Sequence, residues 1–197
     1  MQETGAIKLP PPETEGGMPL MQALKARHST RTFGSQPLSL QVLSNLLWAA
    51  SGVNRLDTGQ RTAPSAHDWR EIDVVVTSAE GAYRYGPPTH TLTRVAAGDL
   101  RHLTGVQDFV ALAPVNLVYV ANRDRMNEAD AEDKAFYSAT DTGFIAQNVY
   151  LYCASAGLAA VVRGLVDREA LGVALGLDRH QRVTLAQSVG YPVGSAG

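Results

Sequence analysis

Three observations predict an α+β fold for this chain. Helical and strand-like segments are mixed along it but do not alternate regularly, which disfavours a doubly wound sheet. Its 197 residues suffice for one well-cored domain and are short for two. Hydrophobic residues make up 45% and charged residues 18%, the balance of a globular domain. No internal repeat or domain-scale linker interrupts it. An extended N-terminal arm, residues 1–17, is therefore expected ahead of a single domain, residues 18–197.

The arm is polar and proline-rich, with Pro10-Pro11-Pro12 and then Gly16-Gly17, and reads as a flexible segment on the surface. It lacks the apolar run of a secretory signal. The default expectation is a cytoplasmic protein, with the periplasm the alternative if a signal peptide preceded Met1. Leu20, Ala23 and Leu24 stripe a first helix. Residues 39–53 repeat apolar side chains at Leu40, Leu43, Leu46, Leu47 and Ala50, with Ser39 as N-cap and Gly52 as terminator. Asn54 to Trp69 is rich in Gly, Pro, Ser, Asn and Asp and reads as a functional loop. Glu71–Thr77 is strand-like, and Ala82–Tyr85 returns as a short partner after the Glu80-Gly81 turn.

Residues 99–113 are expected to be helical and to stop before Pro114. Val115–Ala121 is a nearly continuous apolar run, as in a central strand. Asp124–Lys134 reads as a charged surface helix, separate from a helix over 140–156. That second helix lines Gly143, Ala146, Tyr150 and Cys153 along one side. Small residues there permit close approach of another helix. Gly157 stops it, Leu158–Val162 is strand-like, Asp167–Leu175 is a short helix, and Val183–Tyr191 is a last strand ended by Pro192.

Composition narrows the function classes. A net charge of −2 gives no general affinity for nucleic acid or anionic membranes, although 17 cations leave room for a local basic site. No apolar run reaches the roughly 18 residues of a membrane span. Cys153 is the sole cysteine, so no internal disulfide or cysteine metal cluster forms, and an apolar helix makes it a buried, inert thiol. His28, His67, His90, His102 and His180 show no paired ligand spacing, so no metal site is expected. Ser65 has no adjacent base and reads as a turn or ligand contact rather than a nucleophile.

Arg27-His28-Ser29-Thr30-Arg31 is the motif with most chemistry in it. Two guanidiniums, a hydroxyl and an imidazole within five residues suit a phosphate, which arginine binds bidentately without losing its charge. Alone, the segment reads equally as a helix end whose cations complement the helix dipole. Three more stretches follow in order: Arg61-Thr62-Ala63-Pro64-Ser65-Ala66-His67-Asp68-Trp69, Gly143 to Asn148 running on to Ala156-Gly157-Leu158, and Val189-Gly190-Tyr191-Pro192. Together the four resemble the FMN-dependent nitroreductase superfamily, most nearly the branch with the SagB-type dehydrogenases, over residues 18–192.

The resemblance implies an α+β, nitroreductase-like homodimer, its central mostly antiparallel sheet flanked by helices, with FMN at the subunit interface. It implies that Arg27 and Ser29, with His28 between them, hold the FMN phosphate and that Arg31 lies near the pyrimidine edge. Pro64, Ser65 and Ala66 would come from the other subunit onto the flavin. Asp68 stands where relatives usually carry Asn, and an ionised carboxylate cannot donate as an amide does. The backbone around Arg163 and Gly164 would lie near flavin N5, and Gln107 would read the pyrimidine ring. Many relatives bring basic residues from beyond the last strand onto the phosphate; none follows Arg182 here, which leaves the phosphate to Arg27 and Ser29, with or without another cation.

The implied activity is hydride transfer from NAD(P)H through flavin N5 to a nitroaromatic, quinone or similar small acceptor. No catalytic side chain is needed, since the flavin carries the chemistry and the protein supplies orientation and electrostatics. Two alternatives are an FMN dehydrogenase of an azoline-type substrate, and a flavin-binding protein without turnover. Azoline dehydrogenases of this branch use an adjacent Lys-Tyr pair. Lys134 and Tyr137 do not reproduce it and read as surface residues.

Overall fold

The computed structural model describes residues 6–194. In chain order its elements are β1 (Ile7–Lys8), α1 (Leu20–Ala26), α2 (Leu40–Ser51), β2 (Val53–Arg55), β3 (Gln60–Arg61), β4 (Ile72–Ser78), β5 (Gly81–Gly86), β6 (Thr91–Ala97), β7 (Val115–Asn122), α3 (Ala131–Ser155), β8 (Ala159–Arg163), α4 (Arg168–Ala174) and β9 (Gln181–Gly190). Seven strands form one sheet in the order β1-β6-β5-β4-β7-β9-β8, and β2 and β3 form a separate ribbon. Every described pairing is antiparallel.

Alternation along the central strands builds two cores. Val74 and Val76 of β4 with Leu117 and Tyr119 of β7 face one way, against Leu46 and Leu47 of α2 and Ile145 and Val149 of α3. Val75, Val118 and Val120 face the other way, with Leu171 and Leu175 at the α4 end. Both faces of β7 are therefore covered, which is why its sequence is almost wholly apolar.

The expected α2 forms, and the Val42 N–H donates to Ser39 Oγ at 3.2 Å as its cap. The arm does not lie loose between residues 7 and 10. Ile7 and Lys8 pair with β6, and Leu9 is buried. Ser44 Oγ–H donates to the Pro10 carbonyl at 2.6 Å, and the His90 ring sits between Ser44, 2.7 Å away, and Tyr85, 2.9 Å away.

Two expectations are corrected, and one strand was unforeseen. Residues 99–113 are not a helix but two short 3-10 turns, Arg101–Thr104 and Asp108–Val110, separated at Gly105 by a fully extended backbone. A β-carbon at Gly105 would collide with the Arg163 guanidinium, so the break is built into the packing. The surface helix of 124–134 is instead a 3-10 turn, Arg123–Arg125, and the start of α3. Asp130 caps α3, accepting from the Asp133 N–H at 2.8 Å, and the helix then runs unbroken for 25 residues. Its polar stretch does not end it because Thr140 and Thr142 return their hydroxyls to the carbonyls of Phe136 and Ser138. Finally, β6 was not expected. Thr91, Thr93 and Val95 supply its β-branched residues, but its face is mostly half-exposed and gives little apolar signal.

Candidate functional site

The opening motif leaves α1 and runs beside β8, where the Thr30 N–H donates to the Ala160 carbonyl at 2.9 Å. Phe33 then buries itself against Phe109, Ala159 and Val161. Tyr150 of α3 fixes the middle of the motif. Its hydroxyl oxygen accepts the Val162 N–H at 2.8 Å and lies 2.9 Å from Ser29 Oγ, and the Arg27 guanidinium sits 5.3 Å from its ring centre. His28 is exposed and its Nδ1 lies 2.7 Å from the Ala26 carbonyl. A small cavity of about 200 Å³ opens here, with His28, Thr30, Tyr150 and Ala160 in its wall.

The donor set fits a phosphate on its charges. Neither Arg27 nor Arg31 makes an ion pair or a side-chain hydrogen bond among the described residues. In sequence the two guanidiniums flank Ser29, two residues to either side of it. Gln107 is a separate candidate acceptor, because its Oε1 is buried with no partner among the described residues. Such an orphan is costly unless an N–H reaches it, and flavin carries one on its pyrimidine ring.

The resemblance implied a backbone role at Gly164 and Arg163, and Arg163 has its side chain engaged elsewhere. Its guanidinium turns into the core, donating to Asn116 Oδ1 at 2.9 Å, to Ser188 Oγ at 3.0 Å and to the Thr104 carbonyl. Burial without a carboxylate presses its pKa down to about 10. What residues 163 and 164 can offer a ligand is their backbone.

The Pro64-Ser65-Ala66 loop lies elsewhere on the same helix. The Ala66 N–H donates to Asp141 of α3 at 2.9 Å. Ser65 Oγ accepts the Arg70 N–H at 2.8 Å and donates to Glu71 at 3.2 Å. His67, Asp68 and Arg70 all hold positive φ, between 50° and 55°, so the loop is a strained turn kept in place by these contacts. Asp141 and Tyr150 are nine residues apart, about 13 Å along the helix axis. Within one chain, then, the loop and the Arg27–Ser29 motif do not converge.

Asp68 forms a bidentate ion pair with Arg70 at 2.7 Å, on the exposed side of the loop. The Arg70 hydrogen bond holds its carboxyl below the usual range. Glu71 behaves oppositely. It is fully buried, its Oε1 has no partner, and burial with the Asp141 charge nearby raises its pKa from 4.5 to about 7. Tyr150, Glu71 and Asp141 were missed as site residues in sequence reasoning. Tyr150 was visible on the small-residue face of its helix, but the carboxyls showed only as a strand start and a helix position. Tyr137, read as a surface residue, packs edge-on against Trp69 at 5.6 Å, and Trp69 stacks with His67 at 4.5 Å.

The nitroreductase-like fold places this chain among the oxidoreductases built on it. The chain belongs to the Nitroreductase family, whose model matches residues 24–191. A protein of Methanocaldococcus jannaschii, provisionally named a nitroreductase, is 34% identical over 83% of this chain and 86% of its own length. A crystal structure from Ralstonia eutropha JMP134, also provisionally named a nitroreductase, superposes with a TM-score of 0.93 at 47% identity. That match covers 99% of this chain and 93% of the other. The NADPH:FMN oxidoreductase of Vibrio harveyi, solved with NAD+, shares the fold at a TM-score of 0.66 and 21% identity. It is matched over 88% of this chain and 69% of its own. Among the described residues no helix is long and apolar enough to cross a membrane, and no cluster of three metal-ligating side chains occurs.

Proposed function

We propose that this chain is an FMN-dependent oxidoreductase, acting as a homodimer, that takes hydride from NAD(P)H and passes electrons to a nitroaromatic, quinone or similar flat acceptor. The observation that carries the reading is the pair of unanswered guanidiniums, Arg27 and Arg31, around Ser29. Arg27 and Ser29 would hold the phosphate, and Tyr150 keeps the Ser29 hydroxyl in place. Arg31 would neutralise the negative charge that reduction puts on the ring, and Gln107 Oε1 would accept its N–H. FMN supplies the acceptance and release of hydride at N5, which no side chain here replaces.

The separation of the Pro64-Ser65-Ala66 loop from the Arg27 motif supports a site completed by a second subunit. Exposed Phe136 and Phe144 lie on the outer face of α3 with the small residue Gly143, a face suited to another copy. The test is steady-state oxidation of NADPH or NADH by the purified flavoprotein with a nitroaromatic or quinone acceptor. Turnover that needs both the reductant and the acceptor is expected. Bound FMN that is not reduced by either nucleotide would reject the reductase reading and leave a flavin-binding protein.

A further inference from the structure

The loop that carries Pro64 and Ser65 has a second, cationic flank. Arg61 on β3, Arg70 just after the loop, Arg84 on β5 and Arg125 beyond β7 line one open depression of about 390 Å³ with Trp69 and Asp73. In a chain of net charge −2, such a gathering of arginines is a local feature. The charges within it do not cancel. Asp73 is taken by Arg125, bidentate at 2.9 and 3.0 Å, and neighbouring Asp68 by Arg70 at 2.7 Å. Arg61 and Arg84 make no ion pair and no side-chain hydrogen bond among the described residues.

Arg61 is the more telling of the two. It is half-buried, and its Nε is buried with no acceptor. Burial comes first among the causes that lower its pKa, followed by the charges of Arg70 and Arg125, against which Asp73 acts only in part. A half-buried cation crowded by cations is stabilised by an anion the chain does not provide. Two uncompensated guanidiniums match the charge of a phosphate monoester, and their planar forks match its oxygens. Trp69, whose ring already meets His67 and Tyr137, lines the same depression and gives a purine an aromatic neighbour. Arg61 and Arg70 also line the neighbouring cavity of Pro64, Ser65 and Glu71, so a ligand anchored here extends toward the flavin-facing loop.

The geometry points to this depression as the seat of the adenosine phosphate portion of the nicotinamide dinucleotide, its phosphate on Arg61 and Arg84 and its purine on Trp69. The assignment rests on the proposed NAD(P)H-dependent activity and adds where that reductant is held. Phosphate chemistry is common to the 2′-phosphate of NADPH and the pyrophosphate of both dinucleotides, and the test separates them.

Calorimetric titration of the flavin-loaded protein with adenosine 2′,5′-bisphosphate and with ADP reads the site without turnover. At least one probe is expected to bind once per chain, to weaken as salt rises, and to be displaced by the dinucleotide. Arg61→Gln and Arg84→Gln should each weaken it by about tenfold or more, as expected for loss of a charge-assisted contact. Arg61→Lys, which keeps the charge but loses the fork, should fall between, and Lys25→Gln on α1, by the opposite end of α3, should bind as wild type. Preference for the bisphosphate assigns the 2′-phosphate, and equal binding of ADP assigns the pyrophosphate. Flavin content and Tm of each variant establish that it is folded. Failure of both probes to bind, or wild-type affinity in folded Arg61→Gln and Arg84→Gln, overturns the site. Probe binding with no oxidation of NAD(P)H upholds the site and rejects the activity instead.

Discussion

Glu71 carries the clearest pH signature in the molecule. Its folded pKa of about 7 stands above the ordinary 4.5, so the folded state holds a proton that the unfolded state has released in that window. Its contribution to stability is complete below about 4.5 and is lost as pH rises through about 7. Glu71→Gln keeps an acceptor for the Ser65 hydroxyl and removes the charge. The variant should lose this component of the pH dependence between those values and melt a few degrees higher than wild type at pH 8, seen by calorimetry across pH. An unchanged slope would mean that Glu71 stays ionised in the fold. Arg27 is the matching case on the ligand side. Arg27→Ala should leave the fold intact and weaken FMN binding by about ten- to a hundredfold, the size of one charge-assisted hydrogen bond. Titration of apo-protein with FMN measures it, and equal dissociation constants would place the phosphate elsewhere. Arg27 and Ser29 were readable as candidates in the sequence because they sit two residues apart. Glu71, Asp141 and Tyr150 were not, because each acts on a segment far from it in the chain.

Among the elements, α2, β4, β7 and β8 could be read from periodicity, since each buries a whole face. The segment at 99–113 could not, because Gly105 is fixed by Arg163, a residue 58 positions away. The length of α3 was also hidden, as its middle turns are polar and satisfied by back-bonding to their own helix. That same helix gives the sharpest test of assembly. A β-carbon at Gly143 meets nothing within 4 Å in the protomer, so the fold itself tolerates a larger residue there. Gly143→Arg puts a charge on the outer face beside Phe144. Light scattering is expected to show a dimer for wild type and a monomer for the variant, with bound flavin lost as well. A variant that remains dimeric would remove this face from the interface.

For the molecule as a whole, one sheet organises everything. Its β8 edge carries the Arg27 motif, its centre lays α3 across one face, and its β4 start carries the Pro64-Ser65 loop to a different level of that helix. Two copies of such a protomer would complete what one leaves apart, and Arg27 and Arg31, which the resemblance assigned to FMN, are among the cations without an ion pair among the described residues. The central claim is that FMN is what they hold. Heating the purified protein, separating the released cofactor by chromatography and measuring its absorption against chain concentration tests that claim most directly. FMN at close to one per chain is the expected result. Recovery of FAD, or of no flavin even after reconstitution with FMN, would contradict it.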